Sequence, residues 1–226
     1  MPRVKMLCVT CLSPAEAKEF YDRFGSRQDR QGFYEDSALA RLIRFGELAS
    51  ARRVFELGCG TGRLAHRLLS RELPEDASYV GVDVSSTMMA LARERLSPFD
   101  ARVELVHTEG SMRFQFPDAF CDRFVSTYVL DLLHERQITT AIGEARRLLC
   151  PGGRLCVAGL TVGEGFASSL VARFWARVQA VRPAGVGGCR PIAVVDLLPP
   201  DGWRVVHREV VTSWAIPSEV LVAEAV

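Results

Sequence analysis

Val54-Phe55-Glu56-Leu57-Gly58-Cys59-Gly60-Thr61-Gly62 runs from a short apolar strand into a turn carrying three glycines, and Gly62 to Ser70 then reads as a helix. A strand that feeds a glycine turn and a helix is the sequence form of a nucleotide-type site. Glycine lets backbone approach a ligand closely, and the helix N-terminus behind it presents N–H groups. The segments on either side show which ligand that turn serves.

Upstream, Ser13 can cap a first helix over Pro14 to Phe24, and Gly25 ends it. The stretch from Ser26 to Asp36 is polar with aromatics set into it. A second helix is predicted over about Glu35 to Ser50, with Leu39, Leu42, Ile43, Phe45 and Leu48 at helical spacing. Downstream, strands alternate with helices. Tyr79 to Asp83 is a second strand, with a helix capped by Ser85 or Ser86 and running to about Leu96. Arg102 to His107 is a third strand, and a loop over Thr108 to Phe120 leads to a fourth at Asp122 to Thr127. A helix from His134 or Glu135 to Leu149 is stopped by Cys150-Pro151-Gly152-Gly153, and Arg154 to Leu160 is a fifth strand. After Leu160 the rhythm breaks. A helix over about Phe166 to Val181, a glycine-rich loop to Pro191 and a short helix at Ile192 to Leu198 precede two strands, Trp203 to Thr212 and Ser218 to Ala223, with the length of an edge hairpin. The alternation, with short apolar strands, predicts a parallel sheet covered on both faces.

Length and composition narrow the partners. The 226 residues suffice for one α/β domain. The expected organisation is a single domain over residues 1–226: a helical cap or lid over 1–50, a ligand-binding core over 51–160, and a substrate-side helix, loop and hairpin over 161–226. A net charge of +1 argues against nucleic acid, since a protein that tracks phosphates carries a basic excess. No apolar run reaches the roughly 18 to 20 residues of a membrane span, and Met1 to Leu12 lacks a signal-peptide core. A soluble, cytoplasmic protein, monomer or homodimer, is expected. The seven cysteines are odd in number and scattered, so they are not a disulfide framework. Cys8 and Cys11 have C-x-x-C spacing with no second pair to complete a zinc site, and no metal is expected.

A dinucleotide is the obvious competitor for the glycine turn. Its fingerprint places a third small residue where this chain has Arg63, whose bulk would block close helix–strand packing. The glycines fall instead at 58, 60 and 62, behind Glu56. This pattern resembles the first motif of class I S-adenosylmethionine-dependent methyltransferases, E/D-x-G-x-G-x-G. Asp83 ends the second strand about 20 residues on, where an acid can accept from both ribose hydroxyls. Glu109-Gly110 follows strand three where that family shows Asp-Ala, and Leu148 to Leu155 is similar to its L-x-P-G-G stretch before strand five. The resemblance covers about Tyr21 to Leu160.

It implies a Rossmann-like three-layer sandwich, α/β, with a seven-stranded, mostly parallel sheet whose last strand is antiparallel, and with S-adenosylmethionine as cofactor. It assigns Glu56 to the cofactor's amino group, the main chain of Gly58 and Cys59 with Gly60 and Gly62 to its amino-acid end, and Asp83 to the ribose. Val84 and Met88 fall to the adenine face, Glu109 and Gly110 to the adenine edge, and Thr127 to the methionine side. The acceptor is expected to be a small molecule. Candidate bases are His134 and Asp131, each of which can instead start the following helix. Tyr21, Tyr34, Tyr128, Cys189 and Arg190 are candidate substrate contacts. Two readings stay open beside methyl transfer: a nicotinamide-dependent oxidoreductase, and a protein that binds S-adenosylmethionine without catalysis.

Overall fold

The computed structural model describes residues 13–162 and 189–226. The helix predicted over Phe166 to Val181, most of the glycine-rich loop after it, and Cys8 and Cys11 lie outside the described residues.

Seven strands form one sheet: β1 (Arg53–Leu57), β2 (Ser78–Asp83), β3 (Val103–His107), β4 (Cys121–Thr127), β5 (Leu149–Leu160), β6 (Trp203–Ser213) and β7 (Ile216–Ala225), in the order β3-β2-β1-β4-β5-β7-β6. The first five are parallel. β7 is inserted antiparallel between β5 and β6, with Leu160 opposite Ser218. The strand order reverses beside β1, whose neighbours are β2 and β4. The crevice at such a switch point, outside the carboxyl ends of the strands, is where open α/β sheets bind ligands.

Each face of the sheet has its own core. On one, Leu39 and Leu42 of α2 (Gly32–Phe45), Leu64 of α3 (Arg63–Arg67) and Met89 of α4 (Ser86–Leu96) bury against Val54, Tyr79 and Val222. On the other, Ile138, Ile142 and Leu148 of α5 (Glu135–Leu148) bury against Phe55, Phe124, Leu155 and Leu221. No helix joins β3 to β4 on this second face. The 108–120 loop covers the gap with Phe114 and Phe116, whose rings lie 5.0 and 5.7 Å from that of Phe55. The alternation of apolar residues along β5 and β7 is lost because both strands are buried on both sides.

Several boundaries differ from the sequence expectation. The polar stretch after α1 (Pro14–Phe24) is a 3₁₀ helix, Gly25–Gln31, and α2 begins directly behind it at Gly32, not Glu35. α2 ends at Phe45, because Glu47 takes a left-handed conformation (φ 50°) before a short 3₁₀ turn at Leu48–Ser50. The helix after the glycine turn is only five residues long before it widens into a π turn, Leu68–Glu72. Cys150 to Gly153 does not separate helix from strand. β5 already starts at Leu149, and the extra residues are absorbed as an irregularity opposite Cys121 and Arg123 of β4. The predicted short helix at Ile192 to Leu198 is a 3₁₀ turn at Val194–Leu197.

α1 and the 3₁₀ helix behind it form a cap across the carboxyl ends of β1 and β2, and acids dock it. Asp22 accepts from Ser85 Oγ (2.6 Å) and the Thr87 N–H (3.1 Å) at the start of α4, and these bonds with Lys18 hold its carboxyl far below the usual range despite partial burial. Asp29 accepts from Arg95 (2.5 Å) and Thr61 Oγ1 (2.6 Å). Arg63, the residue that breaks the dinucleotide fingerprint, donates to Glu35 (2.8 Å) and Asp36 (2.5 Å) of α2. Each pair joins the cap or α2 to the glycine turn or to a helix beside it.

Candidate active site

The glycine turn is held from beneath. The Gly58 and Cys59 N–H groups both donate to the Val82 carbonyl of β2, at 2.8 and 3.1 Å, and the Gly62 N–H donates to the Cys59 carbonyl at 3.0 Å. The donors of Gly58 and Cys59 are therefore spent on β2 and do not face a ligand. Gly58 must be glycine for two reasons: its φ is +76°, and a Cβ there would lie 2.2 Å from Val129 Cγ2.

Asp83, at the end of β2, organises the next layer. One carboxylate oxygen accepts from the Gly60 N–H (2.9 Å) and the other from the Ser85 N–H (2.8 Å). Burial pushes its carboxyl above the ordinary value, against those hydrogen bonds. The side chain thus couples the turn after β1 to the start of α4 and still borders the cleft. Glu56 is 1% exposed, and Tyr79 donates to it at 2.6 Å. Burial raises its carboxyl to about 7, Tyr79 lowers it and Asp83 adds repulsion.

Two cavities meet over this frame. The larger is a cleft of about 830 Å³, open on one side, with an apolar wall that includes Leu57, Val84, Met88, Met112, Val129 and Leu132. The smaller, about 420 Å³, is lined by charged and polar groups: Asp29, Glu35, Glu56, Thr61 and Arg63. Gln28, Gly58, Thr127 and Tyr128 border both. Tyr128 sits at the seam with φ +55°, a conformation costly for a non-glycine residue. Its N–H donates to Ala158 (2.7 Å) and its hydroxyl pairs with Ser218 (2.9 Å), which hold it there.

The cleft lining contains Gly58, Asp83, Val84, Met88, Gly110, Thr127, Tyr128 and Tyr21 among the sequence candidates; the polar cavity contains Glu56 and Cys59. Gly60 and Gly62 shape the turn without lining either cavity. Tyr34 is buried with its ring 5.7 Å from that of Tyr128. Cys189 is hydrogen-bonded to Tyr21 of the cap.

Four candidates fall elsewhere. Glu109 is exposed and outside both linings, and Thr108, Gly110, Ser111 and Met112 form that wall instead. His134 is exposed at the N-cap of α5, where Gln137 accepts from its N–H (3.1 Å); the cleft is lined by Leu133 and Gln137 on either side of it in sequence. Asp131 is 1% exposed beneath the cleft. Its Oδ2 accepts from the Leu160 N–H (3.3 Å), and burial pushes its carboxyl up to about 7. Arg190 is buried and directed at backbone: its N–H donates to the Asp131 carbonyl (3.0 Å) and its Nη2 to that of Leu133 (2.6 Å). These contacts close the loop after β4 onto the segment after β5. Sequence reading missed Gln28, Met112, Leu132 and Gln137 as lining residues. Gln28 stood in the polar run with aromatics set into it, and Leu132 in the apolar run that follows β4.

The comparisons with known proteins agree with this geometry. Residues 54–153 match the family described as "Methyltransferase domain". Over that stretch the chain is similar to class I S-adenosylmethionine-dependent methyltransferases. A demethylmenaquinone methyltransferase of Thermus thermophilus is 32% identical over 132 residues, covering 53% of this chain, and the chain spans only 58% of that relative's length. Among solved structures, the N-methyltransferase NodS of Bradyrhizobium japonicum in complex with S-adenosyl-L-homocysteine aligns with a TM-score of 0.71 at 19% identity, over 92% of this chain and 98% of that one. A [4+2]-cyclase, SpnF, aligns with a TM-score of 0.66 at 16% identity, over 96% and 98%. At those identities the two structures establish the shared fold.

The family's cofactor is S-adenosylmethionine, and the residues fit it. Its adenosine is flat and largely apolar, like the wall of the cleft. Its amino-acid end is zwitterionic, like the second cavity. A buried, unpartnered oxygen, Gln28 Oε1, lies between them. Among the described residues no cluster of His, Cys, Asp or Glu is arranged to hold a metal, and no helix is long and apolar enough to cross a membrane.

Proposed function

We propose that the protein transfers the methyl group of S-adenosylmethionine to a small-molecule acceptor. The observation that carries this is the pairing of an apolar cleft with a polar cavity at the switch point of the sheet, joined through Gln28, Gly58, Thr127 and Tyr128. In this reading Asp83 takes the ribose hydroxyls, Val84 and Met88 lie on the adenine, Gly110 stands at its edge, and Glu56 faces the amino group. Residues 13–50 close the site as a cap, 51–160 hold the cofactor, and Tyr21 and Tyr128 face the acceptor, with Tyr34 packed against Tyr128. When bound, the cofactor supplies an electrophilic methyl on a sulfonium.

What the chain adds is position and dryness. Fixing two reactants in line replaces a bimolecular encounter, with effective concentrations that reach about 10⁵ M or more in well-oriented systems. The docked cap keeps water from the seam, and the left-handed Tyr128 fixes one wall. His134 and Asp131 both lie outside the lining, so positioning rather than a dedicated base carries the transfer among the described residues. The near-neutral charge and the apolar cleft favour a small acceptor over nucleic acid. That a cyclase shares this fold means that fold alone does not decide the activity.

Incubation with methyl-labelled S-adenosylmethionine and a cell extract, followed by separation into small-molecule, RNA and protein fractions, tests this. Label is expected in the small-molecule fraction. Label confined to RNA or protein, or tight cofactor binding with no label in any fraction, would reject it.

Cofactor affinity should also depend on pH in a defined way. An ammonium beside Glu56 favours the ionised carboxylate, so the free carboxyl, near 7, must lose its proton on binding. Affinity for S-adenosylhomocysteine should therefore fall as pH drops through 7. It should fall again in the alkaline range, where the ligand's α-amino group loses its charge. Calorimetry of Glu56→Gln should lose the acid limb and keep the alkaline one. An acid limb that survives the substitution would remove Glu56 from this role.

A further inference from the structure

Gln28 has no place in the family motifs, yet it occupies the seam of the site. It lies on the 3₁₀ helix Gly25–Gln31 of the cap and borders both the apolar cleft and the polar cavity. Its amide stands over the glycine turn: a Cβ on Gly60 would meet Gln28 Oε1 at 3.1 Å and Nε2 at 3.2 Å. The backbone carrying it is fixed, because the next residue, Asp29, is held by Arg95 and Thr61. Despite this setting, Oε1 is buried without a hydrogen-bond partner among the described residues. Buried polar atoms are almost always paired, so an orphaned acceptor at the seam of two cavities marks the place of a donor that arrives with a ligand.

The neighbours limit what that donor is. In the polar cavity Glu35 is paired with Arg63, Asp29 with Arg95 and Thr61, and Glu56 with Tyr79. The orphan is a neutral amide, which offers an acceptor and a donor close together. An α-amino acid presents the complement, an ammonium beside a carboxylate. We propose that Gln28 is the cap's contact with the amino-acid end of the cofactor, with Oε1 accepting from the ammonium, so that the cap distinguishes full-length S-adenosyl amino acids from shortened thionucleosides. This rests on the cofactor reading above. It makes the cap part of the binding site as well as its cover. Gln28 acts here as a specificity-determining residue and takes no part in the chemistry.

Two ligands separate this role from a structural one. S-adenosylhomocysteine carries the amino-acid end; 5′-methylthioadenosine has the same adenosine and sulfur without it. Calorimetry is done with both on wild type, Gln28→Ala and Gln28→Leu, with thermal melts to confirm folding. Both variants should bind S-adenosylhomocysteine about tenfold more weakly, as expected for a lost hydrogen bond to a charged group, and should bind 5′-methylthioadenosine as wild type does. Unchanged S-adenosylhomocysteine affinity in Gln28→Leu would overturn the proposal. So would an equal loss for both ligands, the mark of disturbed packing. Wild-type protein that binds neither ligand would instead take down the cofactor assignment, and this contact with it.

Discussion

Replacement of Asp83 by alanine is expected to weaken S-adenosylhomocysteine binding by about ten- to a hundredfold, the loss of roughly 1.5 to 3 kcal/mol that attends removal of a charged acceptor. Two effects combine. On the proposed cofactor reading the ribose loses its acceptor, and the Gly60 and Ser85 N–H groups lose the acceptor that both now share. The second effect reaches beyond the ligand. Gly60 anchors the glycine turn and Ser85 caps α4, its hydroxyl accepting from the Met88 N–H at 3.1 Å. The variant should therefore melt earlier even without cofactor. Asp83→Asn keeps one acceptor oxygen and should fall between wild type and alanine in both properties. Calorimetry and thermal melts measure the two effects separately. A folded alanine variant with unchanged affinity would remove the ribose assignment.

Gly58→Ala should cost stability of about 2 to 5 kcal/mol. A non-glycine residue at φ +76° pays roughly 1 to 2 kcal/mol. Crowding a packed site typically adds about 1 to 3 kcal/mol, and here the new Cβ would stand 2.2 Å from Val129 Cγ2. Val129 cannot simply move aside, since it borders the cleft and packs on the core beneath the sheet. The double variant Gly58→Ala with Val129→Ala separates the terms: it relieves the overlap but not the φ penalty, so only part of the loss should return. Urea unfolding of the three proteins tests this. A Gly58→Ala protein as stable as wild type would show that the turn does not need its close approach to Val129.

The parts of this molecule that follow from local pattern were legible in the sequence. Short apolar strands between amphipathic helices give the parallel sheet, and three glycines behind Glu56 place the turn at its switch point. The spacing from that turn to Asp83 marks a strand end that does border the cleft. What the sequence left hidden depends on contacts between distant segments. Residues 26–31 carry no hydrophobic period, because their helix is held by Asp29 and its partners, not by a buried stripe. Arg63 read as an obstacle to a dinucleotide, but its positive role needs Glu35 and Asp36 brought against it. His134 and Asp131 share one short segment after β4 and looked interchangeable. The 3₁₀ turn at Leu130–Leu132 sends one side chain inward to Leu160 and leaves the other exposed. Their residue types suggested chemistry, and only the backbone path between them shows that neither reaches the cleft.

The inserted strand β7 gives the sheet an unequal mouth. Because it runs against its neighbours, the turn that joins it to β6 comes out at the same end as the loops after β1, β2, β4 and β5. That turn carries Trp214, 79% exposed, with its ring 6.2 Å from that of Phe33 at the start of α2. The edge hairpin thus ends on the same side of the sheet as the cleft. Trp214 and Phe33 line neither cavity, so the length of this turn can change without disturbing the glycine turn or Asp83.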